Sequence, residues 1–201
     1  MRIKIFILLC LTVIMQFAGV THLKASHYYY KQLSLKDGVT SAVRCILTDK
    51  QGFVWIGTKA GVSRYDGHEL KKYVHSPNNP QSIPNNLIHQ IAEDEMSNIW
   101  ILTDKGIARY QRQSDDFFLP ADEKGNPIIA YSTCLTKDGV LFGSKDKVYF
   151  YSYRDSSLRL LQKLNKGSNF NISLLSLWDE HTVLCCSRWQ GLVLLDLNTG
   201  K

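Results

Sequence analysis

VRCILTDKQGFVWIGTKAGVSRYDG, residues 43–67, is followed at a near-constant interval by three variants of itself. Its Trp55-Ile56-Gly57-Thr58 returns as Trp100-Ile101-Leu102-Thr103, Leu141-Phe142-Gly143-Ser144 and Leu184-Cys185-Cys186-Ser187, at steps of 45, 41 and 43 residues. A fixed period of this size marks stacked supersecondary units, none of which can bury its apolar surface alone.

Inside the unit, successive side chains of a strand point to opposite faces, so Phe53-Val54-Trp55-Ile56, apolar at every position, reads as a strand covered on both sides. Val43, Cys45 and Leu47 alternate with Arg44 and Thr48 before it, and Asp49-Lys50-Gln51-Gly52 supplies a hairpin turn with glycine where positive φ is wanted. Gly61 to Tyr65 makes a third strand. Asp66-Gly67, a dipeptide suited to a type I′ turn, leads to a fourth over Glu69 to Val74. Four antiparallel strands in about 40–45 residues is the size of one propeller blade. The expected fold is therefore all-β, a β-propeller fragment of about four blades.

The blades are assigned to residues 37–76, 77–120, 121–165 and 166–201. The second copy keeps Asp94, Trp100, Thr103, Gly106, Arg109 and Tyr110, with Ser97 in place of Gly52. The third keeps Asp138-Gly139 but replaces the Trp by Leu141 and the next Gly by Lys147. The fourth ends on the turn Asn198 to Lys201 with its fourth strand missing, which reads as truncation. Residues 26–36, with the aromatic-rich Tyr28 to Leu33, are expected to be a ring-closing strand, since propellers protect their edges by pairing one terminus with the blade built by the other.

Arg2 and Lys4 precede the apolar run Ile5 to Phe17, and Leu23-Lys24-Ala25-Ser26 follows, so residues 1–25 read as a secretory signal peptide, with an uncleaved anchor as the alternative. Removing it lowers the net charge of the 201-residue chain from +6 to +3, because Arg2, Lys4 and Lys24 leave with no acid. No basic run with interleaved aromatics remains, so nucleic acid is not expected as a partner of this segment. Cys45 and Cys134 fall in units that do not touch, and Cys185 and Cys186 point to opposite faces of one strand, so free thiols are expected.

The repeated Asp49, Asp94 and Asp138 read as turn residues that cap their own backbone rather than as a catalytic carboxylate set. The histidines show no metal-ligand spacing and the hydroxyls no nucleophile elbow, so neither metal, cofactor nor catalytic residue is expected. Trp55 and Trp100 belong to the core by period. Trp178, beside Asp179, is open. Trp189 lies in the second-to-third-strand connection, one residue longer than in the first unit, either as an exposed sugar platform beside Arg188 or as packing between blades. Because strands alternate direction, those connections share a face with the links between blades. That face would gather Lys59, Lys105, Lys145, Arg188 and Trp189 as a ligand-binding set.

Asp49-x-x-Gly52-x-x-Trp55-Ile56-Gly57-Thr58-x-x-Gly61-Val62-x-x-Tyr65-Asp66-Gly67 resembles the two-component regulator propeller repeat of periplasmic sensors in Bacteroidetes hybrid two-component systems. The resemblance covers roughly residues 28–201 and is weaker in the third and fourth units. It implies a seven-bladed ring whose remaining blades belong to the same chain, and a full-length histidine kinase anchored in the inner membrane, open to homodimerisation. It also implies a periplasmic oligosaccharide ligand and control of glycan-utilisation genes. A secreted propeller enzyme, such as a glycan lyase with its catalytic residues elsewhere, is the alternative. A cytosolic WD-type scaffold is disfavoured by the signal sequence.

Overall fold

The computed structural model describes residues 32, 42–164 and 170–199. The signal sequence and the expected closing strand at Tyr28 to Leu33 lie outside these residues. Among the described residues all regular structure is strand, in fifteen segments. The first sheet comprises β1 (Val43–Thr48), β2 (Val54–Thr58), β3 (Gly61–Tyr65) and β4 (Leu70–Tyr73). The second comprises β5 (Ile88–Glu93), β6 (Ile99–Thr103), β7 (Gly106–Gln111) and β8 (Asp116–Phe118). The third comprises β9 (Ser132–Thr136), β10 (Gly139–Ser144), β11 (Lys147–Ser152) and β12 (Leu158–Lys163). β13 (Ile172–Leu177), β14 (Thr182–Ser187) and β15 (Gly191–Asp196) form the last. Every sheet is an antiparallel meander in chain order, and no strand crosses to a neighbouring sheet.

The sheets fan about an axis because their first strands meet: β1 approaches β5, β5 approaches β9, and β9 approaches β13. The alternation of each second strand then decides which neighbour a side chain serves. In β6, Ile99 and Ile101 pack with Trp55 and Val62 of the first sheet, whereas Trp100 and Leu102 pack with Val140 and Phe142 of the third. In β10, Leu141 turns the other way and joins Val183 and Cys185 of the fourth. There are thus three apolar layers, each shared by two sheets, which is why no single repeat can stand alone.

Close approach at the inner end of each layer needs a small residue on one side. A Cβ on Gly57 would lie 2.8 Å from Ile88 Cγ2, and one on Gly143 would lie 2.6 Å from Ile172 Cγ2. The middle layer inverts the pair: Leu102 takes the glycine position and Ala130 lies in the same buried cluster.

Two turn expectations need correction. Asp66-Gly67 is not a two-residue loop. Tyr65 pairs with Leu70, so four residues intervene, and the Asp66 carboxylate accepts the His68 and Glu69 N–H groups at 2.8 and 2.7 Å. Asp138 is not the counterpart of Asp49. Thr136 pairs with Gly139 across two residues, one fewer than separate Asp49 from Phe53, so Thr136 takes the Asp49 position and Asp138 lies inside the turn.

Candidate functional site

The two ends of the fan differ in what they carry. At one end lie the hairpins between first and second strands. There Asp49 accepts the Gln51 and Phe53 N–H groups at 3.0 and 2.9 Å, and Asp94 accepts the Asn98 N–H at 2.8 Å. The capping role read from the sequence is therefore present in both. Ser97, at φ 62°, takes the left-handed conformation that Gly52 takes at 88°. A second role was not read. The other oxygen of each carboxylate accepts an indole N–H from the same repeat, Trp55 Nε1 to Asp49 at 3.0 Å and Trp100 Nε1 to Asp94 at 2.7 Å. Both tryptophans are fully buried, so each aspartate satisfies a donor that would otherwise be stranded in an apolar layer.

The next sheet closes each pair. Arg112 reaches back to Asp49 at 3.1 Å and to Gln51 at 2.9 Å, and the Tyr153 hydroxyl is buried beside Asp94. Burial, followed by the nearby Asp94 charge, raises the Tyr153 phenol above its ordinary range. On β3 and β7, Arg64 and Arg109 sit opposite the two tryptophans and donate to Tyr110 and Tyr151 of the following sheet. Those tyrosines meet the indoles edge-on, with centroids 4.9 and 4.8 Å apart.

A further network locks the first layer at its outer edge. Asp115, in the β7–β8 turn, accepts from the Tyr73 and Tyr110 hydroxyls at 2.7 and 2.5 Å and is paired with Lys71 and Arg64. Burial pushes its carboxyl up, but the bonds from Lys71, Tyr110 and Tyr73 outweigh that and hold it at about 2.

The opposite end carries the second-to-third-strand turns and the links between sheets. Backbone bonds place them together: Gly61 N–H donates to Asn86 O at 2.8 Å, Asp104 N–H to Leu87 O at 3.2 Å, and Ile172 N–H to Lys145 O at 2.8 Å. All five residues expected on this end occupy such turns and are exposed: Lys59, Lys105, Lys145, Arg188 and Trp189. Thr58 and Thr103 brace the first two turns by donating to Gly61 O and Gly106 O at 2.9 and 2.8 Å. The fourth turn differs in length, since Ser187 pairs with Gly191 across three residues. Trp189 projects from it at 82% exposure with the Arg188 guanidinium 5.5 Å from its ring centroid. Among the described residues the indole does not pack between sheets. Trp178 is also exposed, at 69%, but in the hairpin at the other end.

The third layer contains a cleft of about 590 Å³, lined by Phe150, Arg159, Leu161, Leu177, His181 and Leu197 among others. Phe150, at the position of Arg64 and Arg109 in the first two layers, lines it; those layers hold a Trp, an Arg and a Tyr at three equivalent positions. The matching positions here are Leu141, Phe150 and Leu195. Outer-strand residues also fill the first two layers, Phe117 of β8 in one and Leu158 of β12 in the other. The fourth sheet has no fourth strand among the described residues.

Comparison with known proteins agrees with this geometry. Residues 37–60 match the two component regulator propeller family. Histidine kinase P4 of Formosa agariphila is 37% identical over 59 residues, which span 29% of this chain and 4% of that protein. Two solved structures, the extracellular domains of hybrid two component systems of B. thetaiotaomicron, superpose with TM-scores of 0.64 and 0.70 at 22% and 18% identity. They cover 84% and 85% of this chain, which spans only 21% and 25% of theirs. The WD40 domain of Neurospora crassa Pan2 also superposes, with a TM-score of 0.53 at 14% identity over 82% of this chain and 49% of that one. The match to the two-component regulator propeller family lies in the first repeat, and the four sheets share the propeller fold of the extracellular domains of those hybrid two-component systems.

Proposed function

We propose that this chain is the sensing part of an extracytoplasmic two-component signalling protein and that its turn-bearing face binds an oligosaccharide whose arrival switches on glycan-utilisation genes. Export through residues 1–25, anchoring of the full protein in the inner membrane, and completion of the ring by further blades and the strand at 26–36 belong to the same proposal. The observation that carries it is the Arg188–Trp189 pair, an almost fully exposed indole with a guanidinium beside its ring, on a turn one residue longer than its counterparts. A bare indole of that size offers a flat apolar surface for the C–H face of a sugar, while the guanidinium supplies fixed donors for hydroxyl or carboxylate oxygens. Lys59, Lys105 and Lys145, each at the matching turn, give the face a mildly cationic rim suited to an acidic oligosaccharide.

Calorimetric titration of the full-length protein with a binding oligosaccharide tests this. Trp189→Ala and Arg188→Ala are expected to weaken affinity by about 1–3 kcal/mol each, the scale of a lost aromatic stack or charge-assisted bond. Each lysine-to-alanine change is expected to cost less than about 1 kcal/mol, as for an exposed charge. Unchanged affinity in both Trp189→Ala and Arg188→Ala would remove this face from consideration.

A further inference from the structure

The turn-bearing face holds a second cluster, assembled from three separate elements. His89, the second residue of β5, sets its ring edge-on to Tyr131, with centroids 5.2 Å apart and planes at 67°. His89 Nε2 lies 3.1 Å from Asp104 Oδ1, in the β6–β7 turn. Backbone bonds fix all three in place. Asp104 N–H donates to Leu87 O at 3.2 Å, two residues before His89, and Tyr131 N–H donates to Gly143 O at 2.9 Å. Because β5 and β9 are first strands, the cluster sits on the axis side of the fan, at the boundary between the second and third blades.

Its exposure is graded. The His89 side chain is 15% exposed and the Asp104 side chain 51%, while Tyr131 is 39% exposed. Solvent therefore meets a phenol ring and a carboxylate, with the imidazole supporting both from below. A carboxylate has about four acceptor sites, and His89 occupies one, so Asp104 retains room for two further donors.

Resting on the oligosaccharide reading above, we propose that Tyr131, Asp104 and His89 form a second sugar subsite that takes a neutral ring, its C–H face on Tyr131 and adjacent hydroxyls donating to Asp104. An acidic sugar is disfavoured at this position, because its carboxylate would face that of Asp104. His89 is a positioning residue, holding Asp104 and buttressing the ring. The subsite differs in chemistry from the cationic Arg188–Trp189 turn, so one oligosaccharide with neutral and acidic units could engage both.

The test uses the full-length protein on an array of neutral and uronate-containing oligosaccharides from plant and host glycans, followed by titration with the best binder. Tyr131→Ala and Asp104→Asn are each expected to weaken binding about tenfold or more, the range for a lost stack or charge-assisted hydrogen bond. Tyr131→Trp, which keeps an aromatic surface, is expected to stay within about threefold of wild type. If Trp189→Ala weakens binding but Tyr131→Ala and Asp104→Asn do not, the subsite is wrong and the oligosaccharide reading stands. If Tyr131→Trp loses as much as Tyr131→Ala, the ring is not a stacking platform and the proposal is overturned. If the wild-type protein binds no glycan, both readings are overturned together.

Discussion

The first two interblade layers and the third are built to different rules. In the first two, a buried indole is bonded to an aspartate of its own repeat, faced by an arginine on the next strand, and met edge-on by a tyrosine of the following blade. In the third, leucine, phenylalanine and leucine take the indole, guanidinium and phenol positions, and a cleft opens. Substitution is coordinated across blades: where Trp becomes Leu141, the aspartate position becomes Thr136 and the tyrosine position Leu195. A polar group cannot remain buried once its partner is lost, so the set is kept or lost as a whole. The polar set fixes one geometry for two adjacent blades, whereas the third layer has only apolar side chains at the indole, guanidinium and phenol positions.

The largest expected effect is at Trp100. Trp100→Ala removes a fully buried side chain and leaves Asp94 without its indole donor, so a loss of about 3–5 kcal/mol is expected in urea unfolding. Leu141→Ala, at the matching position of the third layer, strands no polar group and is expected to cost less, about 2–3 kcal/mol. Equal losses would erase the distinction between the layers.

Next in size is the glycine–isoleucine contact. Gly143→Leu drives a side chain into Ile172 and is expected to destabilise by about 1–3 kcal/mol. Adding Ile172→Ala reproduces the Leu102–Ala130 arrangement of the middle layer, so the double variant is expected to recover part of that loss. Additive losses in thermal melts would show that the two layers are not interchangeable in this respect.

A smaller effect separates the layers by pH. The Asp115 carboxyl is held at about 2, below its ordinary value near 4. A depressed folded-state value means that its contribution is complete above the ordinary value and is lost as pH falls from about 4 through about 2. Asp115→Asn is therefore expected to flatten the acid limb of a melting-temperature profile over that window and to leave the profile above pH 5 parallel to wild type. An unchanged acid limb would show that the Tyr73–Tyr110–Asp115 network does not stabilise the first layer.

Much of this architecture was legible because period and alternation are one-dimensional signals. Trp55 and Trp100 fall at the same phase of the repeat, and their burial follows from a strand apolar on both sides. The aspartate–indole bond was not read, because a turn residue and a strand residue six positions apart carry no local sign of touching. The sign was in the comparison of copies: aspartate stands six residues before the Trp position in two units, and in the other two, where Thr136 and Trp178 take its place, the indole is gone as well. Arg64 and Arg109 were equally visible as a repeated Arg-Tyr pair, yet their tyrosine partners lie in the next blade. Asp138 misled because it fills a turn one residue shorter. Trp189 was legible as a longer turn but not as an exposed ring, since packing between blades would have used the same residues. Tyr131, His89 and Asp104 belong to three elements that only the fold brings together.

The proposed ligand face can be tested most directly by hydrogen exchange on the full-length protein with and without a bound oligosaccharide. Protection is expected in the turns at 58–61, 103–106, 144–147 and 187–191, with the hairpins at 49–53, 94–98, 136–139 and 178–182 unchanged. Protection confined to those hairpins, or to the cleft between the third and fourth blades, would place the ligand on the opposite end of the propeller and contradict the assignment.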